Sequence, residues 1–129
     1  MTNDEHVPWI AVDLDATLAK YDGWKGPNHI GDPIPLMVQR VIQWKKKGTC
    51  VKIMTARACS TNPNRESNLK TIEDWLELHV YPELKHWDDS SDWYKIPITS
   101  EKDFDMIELW DDRAVQVKPN TGKRVDGKD

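Results

Sequence analysis

The first regular pattern in the chain is a nearly unbroken apolar run, Pro8-Trp9-Ile10-Ala11-Val12, of strand length. A run without polar alternation is how a strand buried on both faces of a parallel sheet reads. It ends in carboxylates at Asp13 and Asp15, and a polar, glycine-bearing loop follows. Asp32-Pro33 then offers an N-cap and a proline in the first helical turn, and Ile34, Met37, Val38, Val41 and Ile42 recur at helical spacing. Lys45, Lys46 and Lys47 before Gly48 suit the negative end of that helix and a left-handed stop. Cys50-Val51-Lys52-Ile53-Met54 is the next predicted strand. Asn62-Pro63 announces a second helix, carried by Leu69, Ile72, Trp75, Leu76 and His79 to about residue 80. A loop holding Trp87, Trp93 and Tyr94 leads to a short strand over 96–98 and an apolar strand over 106–110, interrupted by Glu108. Residues 115–117 are a last strand candidate. Strands alternating with helices predict an α/β sandwich with a mostly parallel central sheet.

The 129 residues make one domain, read as 1–119, followed by a flexible tail over 120–129 rich in Lys, Asp and Gly. A chain of this length buries about two-thirds of the surface it exposes when unfolded, so a core and a pre-formed site need no disulfide staples. Cys50 and Cys59 are too few for a disulfide framework and lack zinc-knuckle spacing. With 18 Lys and Arg against 22 Asp and Glu, the net charge is −4, which argues against a non-specific grip on nucleic acid but leaves room for a local basic pocket. No apolar run approaches the roughly 20 residues of a bilayer-spanning helix. The opening residues 1–6 are acidic and polar rather than a signal sequence, so a cytoplasmic address, away from membranes, is expected.

In open α/β sheets the ligand crevice lies beyond the carboxyl ends of the strands, so polar residues there carry the functional information. Asp13 and Asp15, two apart, start from one face of the first strand. The strand over 106–110 runs into a second acidic pair, Asp111-Asp112, and the strand from Val51 ends at Thr55. Asp111 and Asp112 are both candidate metal ligands; adjacent residues on a strand diverge, which leaves open whether Asp111 or Asp112 is the direct one and allows Asp112 to point to solvent while Asp111 stays. If these ends lie side by side, up to four carboxylates meet, and they demand a divalent cation. Oxygen ligands without clustered His or Cys suit magnesium rather than zinc. Such a site runs phosphoryl transfer: Asp13 attacks phosphorus to give an aspartyl phosphate, and Asp15 serves as general acid and then base. Thr55 donates a hydroxyl hydrogen bond to the phosphoryl oxygens, and Lys102 supplies compensating positive charge.

The run Val12-Asp13-Leu14-Asp15-Ala16-Thr17-Leu18 resembles the DxDx[TV] first motif of the haloacid dehalogenase superfamily. Thr55, Lys102 and Asp111-Asp112 are similar to its second, third and fourth motifs, in the family's order, across about residues 9–118. The resemblance implies a Rossmann-like phosphatase fold with magnesium. Asp13 would carry phosphate and ligate the metal, the backbone oxygen of Asp15 would also ligate it, and Asp111 or Asp112 would complete the protein ligands. Thr17, inside the first motif, joins the substrate-binding set. Ala16 stands where most members have glycine, which is unstrained only with an ordinary negative φ. Met54-Thr55-Ala56-Arg57 and Trp110-Asp111-Asp112-Arg113 resemble segments of the 3′-phosphatase domain of phage polynucleotide kinases, and the chain also looks like short proteins of this superfamily from bacteria and their phages. Arg57 would then contact substrate phosphate or backbone. No GxxxxGK[ST] phosphate loop is present, so no kinase is expected.

Some 15 residues separate the first motif from the first helix, enough for a flap but not for a cap domain, so a capless member with an open site is expected. The expected partner is a nucleotide, a nucleic-acid 3′-phosphate end or another small phosphomonoester, with a second copy of the chain as one means of covering the site. Trp24 in the flap, and His86, Trp87, Trp93 and Tyr94 later, are candidates to stack on a base or form a lid. Two rival functions stand beside a phosphatase. A phospho-acceptor signalling module uses the same residue types, but its acidic pair precedes the acceptor aspartate, the reverse of the order here. A metal-binding module without turnover is the other.

Overall fold

The structure, a computed structural model, describes residues 6–128, so the acidic opening segment and the last tail residue largely lie outside the described residues. Four strands form one all-parallel sheet: β1 (Trp9–Asp13), β2 (Cys50–Met54), β3 (Ile98–Thr99) and β4 (Met106–Trp110), in the order β3-β2-β1-β4. β1 is central and pairs along its whole length with β2, from Trp9 beside Cys50 to Asp13 beside Met54. Its residues Trp9 to Val12 are all buried, as the unbroken apolar run requires.

Three helices complete the fold: α1 (Pro35–Lys46), α2 (Arg65–His79) and α3 (Tyr81–Trp87). The steps β1 to β2 to β3 run in one direction, so right-handed crossovers bring α1 and α2 to the same side of the sheet. There Val38, Val41 and Ile42 of α1, Ile72 and Leu76 of α2 and Leu84 of α3 close one core over Ile10, Val12, Val51 and Ile53. The return from β3 to β4 is a short loop without a helix. It is fastened to the strands by Asp103, whose Oδ1 accepts from the Trp9 indole N–H at 2.8 Å, while the Lys52 ammonium sits 4.4 Å over the Trp9 ring. No large cap domain interrupts the chain, and among the described residues no helix is long and apolar enough to cross a membrane.

Several local expectations are corrected. α1 starts later than Asp32-Pro33: Ile34 occupies the N-cap and Pro35 the first turn, where its missing N–H costs nothing. α2 begins at Arg65, because Asn62 Oδ1 accepts from the Asn64 N–H at 2.9 Å and holds a turn before it. The loop expected around Trp87 is largely α3, whose Pro82 lies in the first turn. The strand expected over 96–98 is β3, two residues further on, and residues 115–117 form no strand, only an isolated antiparallel bridge between Val117 and Arg124. The stop after α1 is as expected, with Gly48 at φ 82°.

Candidate active site

β1 and β4 are parallel neighbours, so their carboxyl ends lie side by side. Asp13 closes β1, and Asp111 and Asp112 follow directly after Trp110. One carboxylate oxygen from each of the three lies within 4.8 Å of the others. Asp112 belongs to the cluster together with Asp111, as its exposed member: the strand has ended by that point, and alternation no longer applies. Burial first, then the charges of Asp111 and Asp112, lift the Asp13 carboxyl from its ordinary 3.8 to about 7. The Thr17 hydroxyl lies 3.5 Å from Asp13 Oδ2, and Asp111 Oδ1 accepts from the Arg113 N–H at 2.8 Å, which turns the chain after β4.

The fourth carboxylate goes elsewhere. Asp15 lies past the end of β1, and both of its oxygens are taken by Arg57, Nε to Oδ2 and Nη2 to Oδ1, each at 2.9 Å. Arg57 thus neutralises one acid of the expected four, and three converge. Its side chain is 7% exposed, and its third nitrogen, Nη1, is buried with no hydrogen-bond partner. A short 3₁₀ turn, Ala56–Ala58, positions it: Thr55 Oγ1 accepts from the Arg57 N–H at 3.1 Å, and Asn68 Nδ2 donates to the Arg57 carbonyl at 3.0 Å. Thr55 is itself buried beside Asp13, and its hydroxyl proton remains available to a ligand oxygen.

Residues 16–31 form the flap. The amides of Leu18 and Ala19 both donate to the Leu14 carbonyl, at 3.0 and 2.9 Å, and the turn carries Ala16 at φ 70°. The alanine departure from the motif is therefore a strained one: a left-handed L-residue costs roughly 1–2 kcal/mol. The flap closes at its base, where the Trp75 indole N–H donates to the Gly31 carbonyl at 2.9 Å. Behind it lies a cavity of about 300 Å³ that Asp13, Asp15, Thr55, Arg57 and Asp112 share with Tyr21, Trp24, Asn62 and Arg113. Trp24 was expected there. Tyr21 and Asn62 were not, since neither belongs to a recognisable motif. Lys102 is exposed on the β3–β4 loop and does not line this cavity; the cations that do are Arg57 and Arg113.

No protein-family model, curated protein or solved structure matches the chain. Three acidic oxygens of central and edge strands can share a hard cation, a buried threonine hydroxyl can donate beside them, and a guanidinium with an unused donor borders the same space.

Proposed function

We propose that this chain is a phosphomonoester hydrolase of the haloacid dehalogenase type, working through an aspartyl phosphate on Asp13. The observation that carries this reading is the meeting of Asp13, Asp111 and Asp112 at adjoining strand ends, where Asp13 and Asp112 line a cavity together with Thr55 and Arg57. The donor set is all oxygen, carboxylate and closely spaced, and so suits magnesium. Asp13, Asp111 and Asp112 would hold the ion, with the backbone oxygen of Asp15 as the resemblance implies. When bound, it supplies charge neutralisation and orientation at the phosphoryl oxygens.

The residues of the chain divide the rest of the chemistry. An Asp13 oxygen attacks phosphorus in line, forming its own O–P bond as the bond to the leaving oxygen breaks. Thr55 donates a hydroxyl hydrogen bond to a phosphoryl oxygen. Arg57, once its free Nη1 engages that group, releases the Asp15 carboxyl. Asp15, once it has taken a proton from solvent, gives that proton to the leaving oxygen, and the carboxylate so formed later takes one from the water that cleaves the aspartyl phosphate. Lys102 would serve as counter-charge only after its loop moves inward.

The bidentate Asp15–Arg57 pair favours a second reading, a metal- and phosphate-binding module without turnover, because both oxygens of the acid/base candidate are occupied. Hydrolysis of p-nitrophenyl phosphate with magnesium separates the two. Turnover that disappears in Asp13→Asn is expected. Magnesium binding with no hydrolysis by the wild type supports the binding module, and equal hydrolysis by wild type and Asp13→Asn removes Asp13 as nucleophile.

A further inference from the structure

Two large aromatic side chains of the flap, Tyr21 and Trp24, remain 46% and 58% exposed while lining the same cavity as Asp13 and Asp112. Large rings on a cavity wall are left exposed at a cost in apolar hydration unless something covers them. Trp24 is covered on one side only: the Arg57 guanidinium lies 5.0 Å from its ring centroid. That guanidinium in turn holds Asp15, so carboxylate, guanidinium and indole follow one another in file along the wall. The indole is thus set back from Asp15, the acid assigned to the leaving oxygen, by the thickness of an arginine head group. Beside it, Asn62 uses its side-chain oxygen to hold the turn before α2, which leaves its amide N–H groups to a ligand. Arg57, which lines the same cavity, also holds a buried Nη1 with no hydrogen-bond partner.

Resting on the phosphatase reading above, we infer that the preferred substrate is a nucleoside monophosphate whose base stacks on Trp24 while its phosphate lies between Arg57 and Asp13. The file of groups favours this over a simple aryl phosphate. An aryl ester joins ring and phosphorus through one oxygen, whereas a nucleotide sets its base back by a sugar, as the intervening guanidinium requires. The cavity, near the small end of ligand sites, suits one nucleotide better than a long strand.

The test measures kcat/KM with magnesium for adenosine and cytidine 5′-monophosphates, ribose 5-phosphate and phenyl phosphate, on wild type, Trp24→Ala and Trp24→Phe. Aromatic stacking on a base should favour the nucleotides over ribose 5-phosphate by about tenfold or more. That ratio should collapse toward one in Trp24→Ala and largely return in Trp24→Phe. Equal use of nucleotide and ribose 5-phosphate, or a preference untouched by Trp24→Ala, overturns the stacking proposal and leaves the phosphatase standing. Phenyl phosphate as the best substrate overturns the set-back geometry. Hydrolysis of none of the four overturns the phosphatase instead. In that event, calorimetry of adenosine 5′-monophosphate against the magnesium-loaded wild type and Trp24→Ala judges the stack alone: binding weakened by the substitution upholds it, and equal or absent binding ends it.

Discussion

Removing the Asp13 charge should make this protein more stable, and only above acidic pH. The folded chain keeps a proton on Asp13 up to about pH 7, while the unfolded chain releases it near the ordinary 3.8. Between those values the folded state binds the extra proton, so stability falls as pH rises and levels off above about 7. Taken at face value, the displacement corresponds to a ceiling of about 4 kcal/mol at pH 8. Asp13 is only partly buried and Asp112 is exposed, so solvent screening brings the expected effect to about 1–2 kcal/mol. Asp13→Asn keeps an acceptor for Thr17 and loses the repulsion. Urea unfolding in chelator should therefore find the variant about 1–2 kcal/mol more stable at pH 8, with the gap closing toward pH 4. Saturating magnesium should raise the wild type at pH 8 by mass action, about 2.7 kcal/mol at a hundredfold excess over Kd, and raise the variant far less. A variant less stable than wild type at pH 8 without metal, or a gap of equal size at pH 4 and pH 8, would refute the reasoning.

Three further outcomes follow from named contacts. Ala16→Gly should stabilise by about 1 kcal/mol, because glycine accepts the φ of 70° without the Cβ clash; chemical denaturation checks this, and a loss of stability contradicts it. Gly31→Ala should cost roughly 1–3 kcal/mol, since a Cβ there would meet the Lys20 carbonyl oxygen at 2.0 Å; an unchanged melting temperature would show that the flap base yields freely. Arg57→Leu should cost about 2–4 kcal/mol at pH 7, much of it from the Asp15 carboxylate left without its partner, and the double variant Arg57→Leu with Asp15→Leu should recover part of that loss.

The legibility of this fold varies with the range of the interaction. β1 was readable because burial on both faces leaves a continuous apolar run, and the end of α1 because lysines and Gly48 satisfy local rules. α3 lay in a segment read as loop; it is a short helix, and its Pro82 sits in the first turn, where a proline forfeits no helical hydrogen bond. The places of Asp13, Asp111 and Asp112 follow from strand ends, which sequence marks well. Asp15 was placed with them because the pull of Arg57 comes from another segment and leaves no local trace. The choice between Asp111 and Asp112 stayed open in the sequence because alternation is a rule that holds only while the strand continues. Tyr21 and Asn62 reach the cavity through loop geometry, which carries no period.

The helix-free return to β4 has a mechanical consequence. Among the described residues that strand is an edge held by β1 alone, with Ile107 and Leu109 open to water, and two members of the trio follow directly after it. A cation gripping both strands would act as a rivet at the rim of the sheet, pinning late chain to early chain where no helix does. Amide exchange along 106–110 should then slow on metal loading more than anywhere in β2, so the ion that arms the chemistry would also stop the margin of the sheet from fraying.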